Sequence, residues 1–270
     1  LSDELDLRLL NSTRELLVPA PLPAKGSIAL FGFPDYEQAT TPKLARSETA
    51  EKTPRYAPDT ERGHECTPLP GTKAEVESVR DMAAGKRLPV QVYLAADATE
   101  ESVKSLASPR VLHLATHGYF EVDAAQTAAN PMLRSGLLLA GAKRTLDRKD
   151  TMSLTNQAED GVLTAYEATA LNLDGTELVV LSACETGLGE VKNGEGVYGL
   201  QRAFAIAGAQ SVLMSLWKVG DQPTQLLMKE FYRRWLGGTP AQSALRKAQA
   251  AVRKRYPHPY YWGGFVLVGR

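Results

Sequence analysis

Seven short aliphatic runs constrain what this chain can fold into: SIALFGF (27–33), PVQVYLA (89–95), RVLHLATH (110–117), SGLLLAG (135–141), ELVVLSA (177–183), SVLMSLW (211–217) and GFVLVG (264–269). Most show no alternation of apolar and polar residues, which is how strands covered on both faces read. Between them the spacing of apolar residues predicts helices over 73–84, 99–106, 197–207, 223–236 and 240–255. Strand alternating with helix predicts an α/β fold, a mostly parallel central sheet with helices on both faces. In the third of these helices Val197, Leu200, Phe204 and Ala207 share one face, and Gly208 suits a left-handed C-terminal turn. In the last, Leu245, Ala248 and Val252 form the apolar stripe, and Arg253, Lys254 and Arg255 oppose the helix dipole at its end.

Composition narrows the class. The 270 residues can bury a sizeable core, and 31 basic against 31 acidic residues leave no net field to draw nucleic acid or anionic lipid. The basic triplet at 253–255 reads as a solvated helix end, since no aromatic residues interleave on a basic strand face. The opening LSDELDLRLL places acids where a secretory leader has basic residues, and no apolar run could span a bilayer, so the expected location is the cytoplasm. Two cysteines, Cys66 and Cys184, are too few for a disulfide framework and are expected as free thiols. The stretches 37–72 and 120–161 are polar and read as mobile surface loops, the second built around one short strand. Neither can hold its own core and no solenoid repeat is visible, so residues 1–270 read as a single domain.

The stretch LVVLSACETGLGE (178–190) ends a buried strand on a thiol followed by residues unsuited to continuing it. A cysteine phosphatase would need an arginine six positions after the thiol, where Glu190 stands and would repel phosphate. A dinucleotide turn is too weakly matched: Gly187 and Gly189 are present, but Lys192 occupies the place of the third glycine. The chain has neither a G-x-S-x-G elbow nor a G-x-x-x-x-G-K-[ST] phosphate loop. His64 and Cys66 make only a short H-E-C cluster, too little for a zinc site, so no metal is expected.

A nucleophilic thiol needs a partner that takes its proton and later protonates the leaving group, a task for imidazole near neutral pH. His117 stands at the carboxyl end of its apolar run, and in open parallel sheets chemistry gathers outside the carboxyl ends of strands. It meets Cys184 at one edge if their strands are neighbours. Gly118, with no side chain, lets a carbonyl oxygen approach its N–H, and this amide and that of Cys184 are the expected oxyanion donors. His113, inside the run, reads as a buried, hydrogen-bonded core histidine. His258, between prolines in YPHPYYW, is the rival base. The bland alternative for Cys184 is that it simply packs.

These motifs resemble the CHAT peptidases, relatives of caspases, gingipains and separases. The resemblance rests on VLHLATHGYF, on DGVLTAYEATALNLDGTELVVLSACETGLGE, on GEGVYGLQRAFAIAGAQSVLMSLWKVGD and on HPYYWGGFVLVG, covers at least 69–269, and extends to ALFGFPDY near the start. It implies a caspase-like α/β fold, a His117 and Cys184 dyad with Gly118 and Cys184 as oxyanion donors, cleavage of protein substrates, and no cofactor. It further implies that such a domain ends a longer protein, often after tetratricopeptide helices that sense a partner. SLWKVGD corresponds to a stretch that lines the substrate cleft in caspase relatives, which places Trp217 and Asp221 near a bound peptide. Glu185 and Asp221 would suit a basic residue before the scissile bond, or simply face water. A peptide-binding module that does not cut is the alternative function.

Overall fold

The computed structural model describes residues 9–10, 26–38, 66–120, 130–147, 159–182, 190–192 and 196–269. Its centre is a six-stranded sheet formed by β1 (Ile28–Pro34), β2 (Val90–Ala95), β3 (Val111–Ala115), β7 (Leu178–Leu181), β10 (Ser211–Ser215) and β11 (Phe265–Gly269), in the order β11-β10-β7-β3-β1-β2. Every neighbouring pair is parallel except β10 and β11. At the outer border Leu9 bridges Val268, and the Gly269 N–H donates to the Leu9 carbonyl at 2.8 Å.

Strand side chains alternate across the sheet, so continuous aliphatic runs fill two cores at once. Phe31, Leu112, Leu114, Val179, Leu181 and Met214 meet α2 (Glu100–Lys104), α4 (Ala165–Ala168) and α5 (Leu200–Ile206). Ile28, Leu30, Val111, Leu178, Val180 and Leu213 meet α1 (Pro70–Ala84), α6 (Asp221–Trp235) and α7 (Ala241–Arg255) on the other face. The expected stripe of Leu245, Ala248 and Val252 is buried. The triplet at its end is partly spent on aromatic rings, with the Arg253 guanidinium 5.5 Å from the Trp262 ring and that of Arg255 5.7 Å from Tyr256.

Two readings need correction. Val197 is not on a helix: it lies in β9 (Gly196–Tyr198), paired with β8 (Glu190–Lys192), and α5 begins only at Leu200. The segment GEGVYG holds three glycines, each costing a helix about 1 kcal/mol, and Val and Tyr favour extended backbone. SGLLLAG is a strand, but outside the central sheet. Its β5 (Ser135–Leu138) is flanked by β4 (His117–Phe120) and β6 (Val162–Thr164) in a separate antiparallel sheet. The described part of 120–161 thus includes β5, a 3-10 turn at Pro131–Leu133 and α3 (Ala142–Asp147). Buried Glu100 ties the approach to β6 onto α2, accepting the N–H groups of Asp160 and Gly161 at 3.0 and 3.1 Å together with the Lys104 ammonium.

Leu114→Ala, in the heart of one core, is expected to lower the unfolding free energy by about 2–5 kcal/mol. Ile206→Ala, at a side chain 57% exposed, should change it by less than about 0.5 kcal/mol. Urea denaturation measures both, and equal losses would contradict the layering.

Candidate active site at the carboxyl edge of the sheet

β3 and β7 run side by side in register, Val111 opposite Leu178 through Leu114 opposite Leu181, and the Ser182 N–H donates to the Leu114 carbonyl at 3.0 Å. Both strands therefore end at the same edge. β3 stops at Ala115 and His117 opens β4 two residues later. Cys184 follows Ser182 by two positions; it and Glu185, like Gly187, Gly189 and His64, lie outside the described residues.

The joint between β3 and β4 is braced from below. Buried Tyr36 is 2.9 Å from the Thr116 hydroxyl, and Thr116 in turn donates to the Leu138 carbonyl. Since Thr116 spends its proton on that carbonyl, the Tyr36 O–H must be the donor between them. The Tyr36 oxygen then accepts the backbone N–H of His117 at 3.4 Å. Burial pushes the Tyr36 phenol up to about 12, so it keeps this proton at neutral pH.

The imidazole has a defined partner. His117 Nε2 lies 2.8 Å from the Thr67 carbonyl oxygen, in the segment leading to α1. A carbonyl only accepts, so Nε2 carries the proton and Nδ1 is the basic nitrogen of the neutral ring. Gly118 follows in β4, opposite Leu137 and half-exposed.

A cavity of about 330 Å³ opens beside His117, within the size range of small-molecule sites. Thr116, His117, Ser182 and Ser215 line it from the strand ends, Thr67 and Glu75 from the α1 side, and Asp221 and Gln225 from the start of α6. Lys218 and Tyr260 stand at the same opening. Of the residues expected near a peptide, Asp221 lines this cavity and Trp217 does not. Trp217 instead stacks on Tyr260 with ring centroids 6.5 Å apart, and its indole N–H donates to the Tyr260 carbonyl at 2.9 Å. His258 is exposed, and its Nδ1 accepts the Tyr260 N–H at 3.2 Å. His113 is the fully buried, hydrogen-bonded residue expected, with Nδ1 3.1 Å from the Tyr232 hydroxyl. Among the described residues no group of three or more His, Cys, Asp or Glu side chains could hold a metal ion, and no helix is long and apolar enough to cross a membrane.

Three contributors escaped the sequence reading. Thr67 acts through its backbone, which leaves no trace in residue type. Tyr36 sits in ALFGFPDY, noted for resemblance but not for its hydroxyl. Glu75 did leave a signal: it is an acid next to the buried stripe of Thr72, Val76, Val79 and Ala83 on α1, and it is buried with them.

Comparison with known proteins bears on this arrangement. The family model described as CHAT domain matches residues 2–270. Tetratricopeptide repeat protein 28 of Mus musculus is 30% identical over 225 residues, covering 75% of this chain and 9% of that protein; its Homo sapiens counterpart is 31% identical over 221 residues, covering 75% and 8%. The chain thus spans less than a tenth of the length of these relatives. Among solved structures, the Saccharomyces cerevisiae separase–securin complex aligns with a TM-score of 0.52 at 13% identity, covering 95% of this chain and 13% of that one. The Arg-specific cysteine proteinase gingipain R aligns with a TM-score of 0.48 at 8% identity, covering 73% and 41%. The family-model match over residues 2–270, with a mostly parallel sheet between two helical layers, makes the chain a member of the CHAT domain family with a caspase-like α/β fold.

Proposed function

We propose that this chain is a cysteine endopeptidase in which Cys184 is the nucleophile and His117 the general base and acid. The observation that carries this reading is the fixed orientation of His117, its Nε2 proton engaged by Thr67, at the end of the strand neighbouring the one that leads to Cys184. In the proposed cycle the Nδ1 side of the ring takes the thiol proton and sulfur attacks the peptide carbonyl carbon. The resulting oxyanion is held by the amides of Gly118 and Cys184. As the C–N bond breaks, the imidazolium returns the proton to the departing amine and leaves a thioester. Water, deprotonated by the same ring, then hydrolyses the thioester and restores the thiol. No metal or organic cofactor takes part.

In this proposal the substrate is a protein segment lying along Glu185, Trp217 and Asp221. The relatives named for tetratricopeptide repeats favour a regulatory region of that kind in the full-length protein, with residues 1–270 acting as its single catalytic domain in the cytoplasm. The same relatives, named for their repeats and not for an activity, are what favours the second reading, a module that holds a peptide without cutting it.

Replacing His117 by Ala is expected to lower turnover of a peptide library about 10²- to 10⁴-fold, and Cys184→Ala to abolish it, with both variants folded by circular dichroism. His258→Ala should retain activity within a few-fold; the reverse ranking of the two histidines would overturn the assignment of the base. A peptidyl chloromethyl ketone should alkylate Cys184 and spare Cys66, because burial pushes the Cys66 thiol up to about 11 and leaves little thiolate at neutral pH. Cys66 should become reactive only as the pH approaches that value. Peptide mapping by mass spectrometry reads both sites, and equal labelling at pH 7 speaks for the silent module.

A further inference from the structure

The last two helices carry a charge that the chain as a whole does not. Over 221–255 eight basic residues stand against two acidic ones, whereas the full 270 residues balance at 31 and 31. Of the two acids, Glu230 is already held within its own helix, by Arg233 at 2.9 Å and by Arg234. The other, Asp221, is the first residue of α6. α7 runs back along α6, so that the Tyr256 hydroxyl donates to Gln222 Oε1 at 3.2 Å. It has no acid at all: its charged residues are Arg246, Lys247, Arg253, Lys254 and Arg255. The final three oppose the helix dipole, but that effect fades within one turn and gives no reason for Arg246 and Lys247. Exposed helices offset such cations with acids three or four positions away, and here those places hold Gln, Ser and Ala.

The stripe of Leu245, Ala248 and Val252 turns inward, and Lys247, Arg253, Lys254 and Arg255 are exposed. These cations are strung along the helix. Lys247 and Lys254 are about two turns apart, roughly 10 Å along the axis. A small anion needs donors that converge on a point, whereas an extended chain covers that step with about three residues. Two other polyanions fit less well. A bilayer surface needs apolar side chains to insert, and among the described residues the exposed large hydrophobics, Leu9, Tyr166, Ile206 and Tyr260, all lie off α6 and α7. Single-stranded nucleic acid needs ring faces on which bases stack, but the rings at the end of α7 carry arginines, Trp262 under Arg253 and Tyr256 under Arg255. A guanidinium laid on a ring keeps its N–H edge outward, shaped for the two oxygens of a carboxylate.

We propose that the exposed face of α7 docks an acidic segment of a partner protein, extended along the helix with its carboxylates on Lys247, Lys254 and the arginines beside them. This interaction surface does not depend on the peptidase reading.

Fluorescence anisotropy of fluorescein-labelled octaglutamate tests this on the full chain, with octaglutamine as the uncharged reference; extended, either peptide is about as long as α7. At low ionic strength octaglutamate should bind about tenfold more tightly or better, and the margin should shrink as salt is added. Lys247→Glu with Lys254→Glu should abolish the margin. Lys73→Glu with Lys86→Glu, the same change of charge at exposed positions on α1 and just beyond it, should leave most of it. If the first pair does not fold by circular dichroism, Lys247→Gln with Lys254→Gln decides in its place. Equal binding of the two peptides, or equal losses in the two double variants, overturns the proposal. Tighter binding of octathymidylate, or of phosphatidylserine-containing vesicles, overturns it in favour of nucleic acid or membrane. A salt-sensitive dimer in sedimentation velocity that octaglutamate dissociates would give the face to a second copy of the chain instead.

Discussion

The arrangement depends first on the parallel pairing of β3 with β7. Leu112 and Leu114 point to one core as Val179 and Leu181 do, and Val111 points to the other with Leu178 and Val180. A slip of one residue would carry every side chain of a strand to the wrong layer. Because both layers are closed by helices, that register is specified from both faces. The segments that lead to His117 and to Cys184, 67 positions apart in the chain, then leave the sheet side by side.

A second constraint operates at the scale of one ring. His117 is attached to the joint between two sheets, braced by Tyr36 and Thr116, and its proton is assigned by a backbone carbonyl from elsewhere in the chain. Main chain cannot ionise, so this partner holds the tautomer at any pH at which the ring is neutral. His113 is fixed differently, between a phenol and a carboxylate, in surroundings from which water is excluded. Two imidazoles four residues apart thus serve different ends, because the strand buries one and ends just before the other.

How much of this was legible follows from the kind of signal each feature leaves. β1, β3, β7 and β10 were plain as aliphatic runs, since burial on both faces demands that composition. The run SGLLLAG met the same description for another reason: Leu137 packs into one core and Leu138 into the small cluster around Tyr36 and Tyr119, so its apolarity said nothing about which sheet it joined. Val197 fitted a helical stripe by spacing, while the glycines around it worked against any helix. His117 and Asp221 could be placed at the edge from strand polarity and motif. Thr67 could not, because a carbonyl is common to all residues. Glu75 could have been suspected, because an acid beside an apolar stripe requires a reason.

The outermost strand, β11, carries a different lesson. Its antiparallel partner β10 covers one flank, and on the other the Leu9 carbonyl takes the N–H of Gly269. A bare row of main-chain donors on a border strand is a template on which a second molecule can build. Here the polypeptide begins to occupy that template with its own residues, which favours a closed protomer over edgewise stacking.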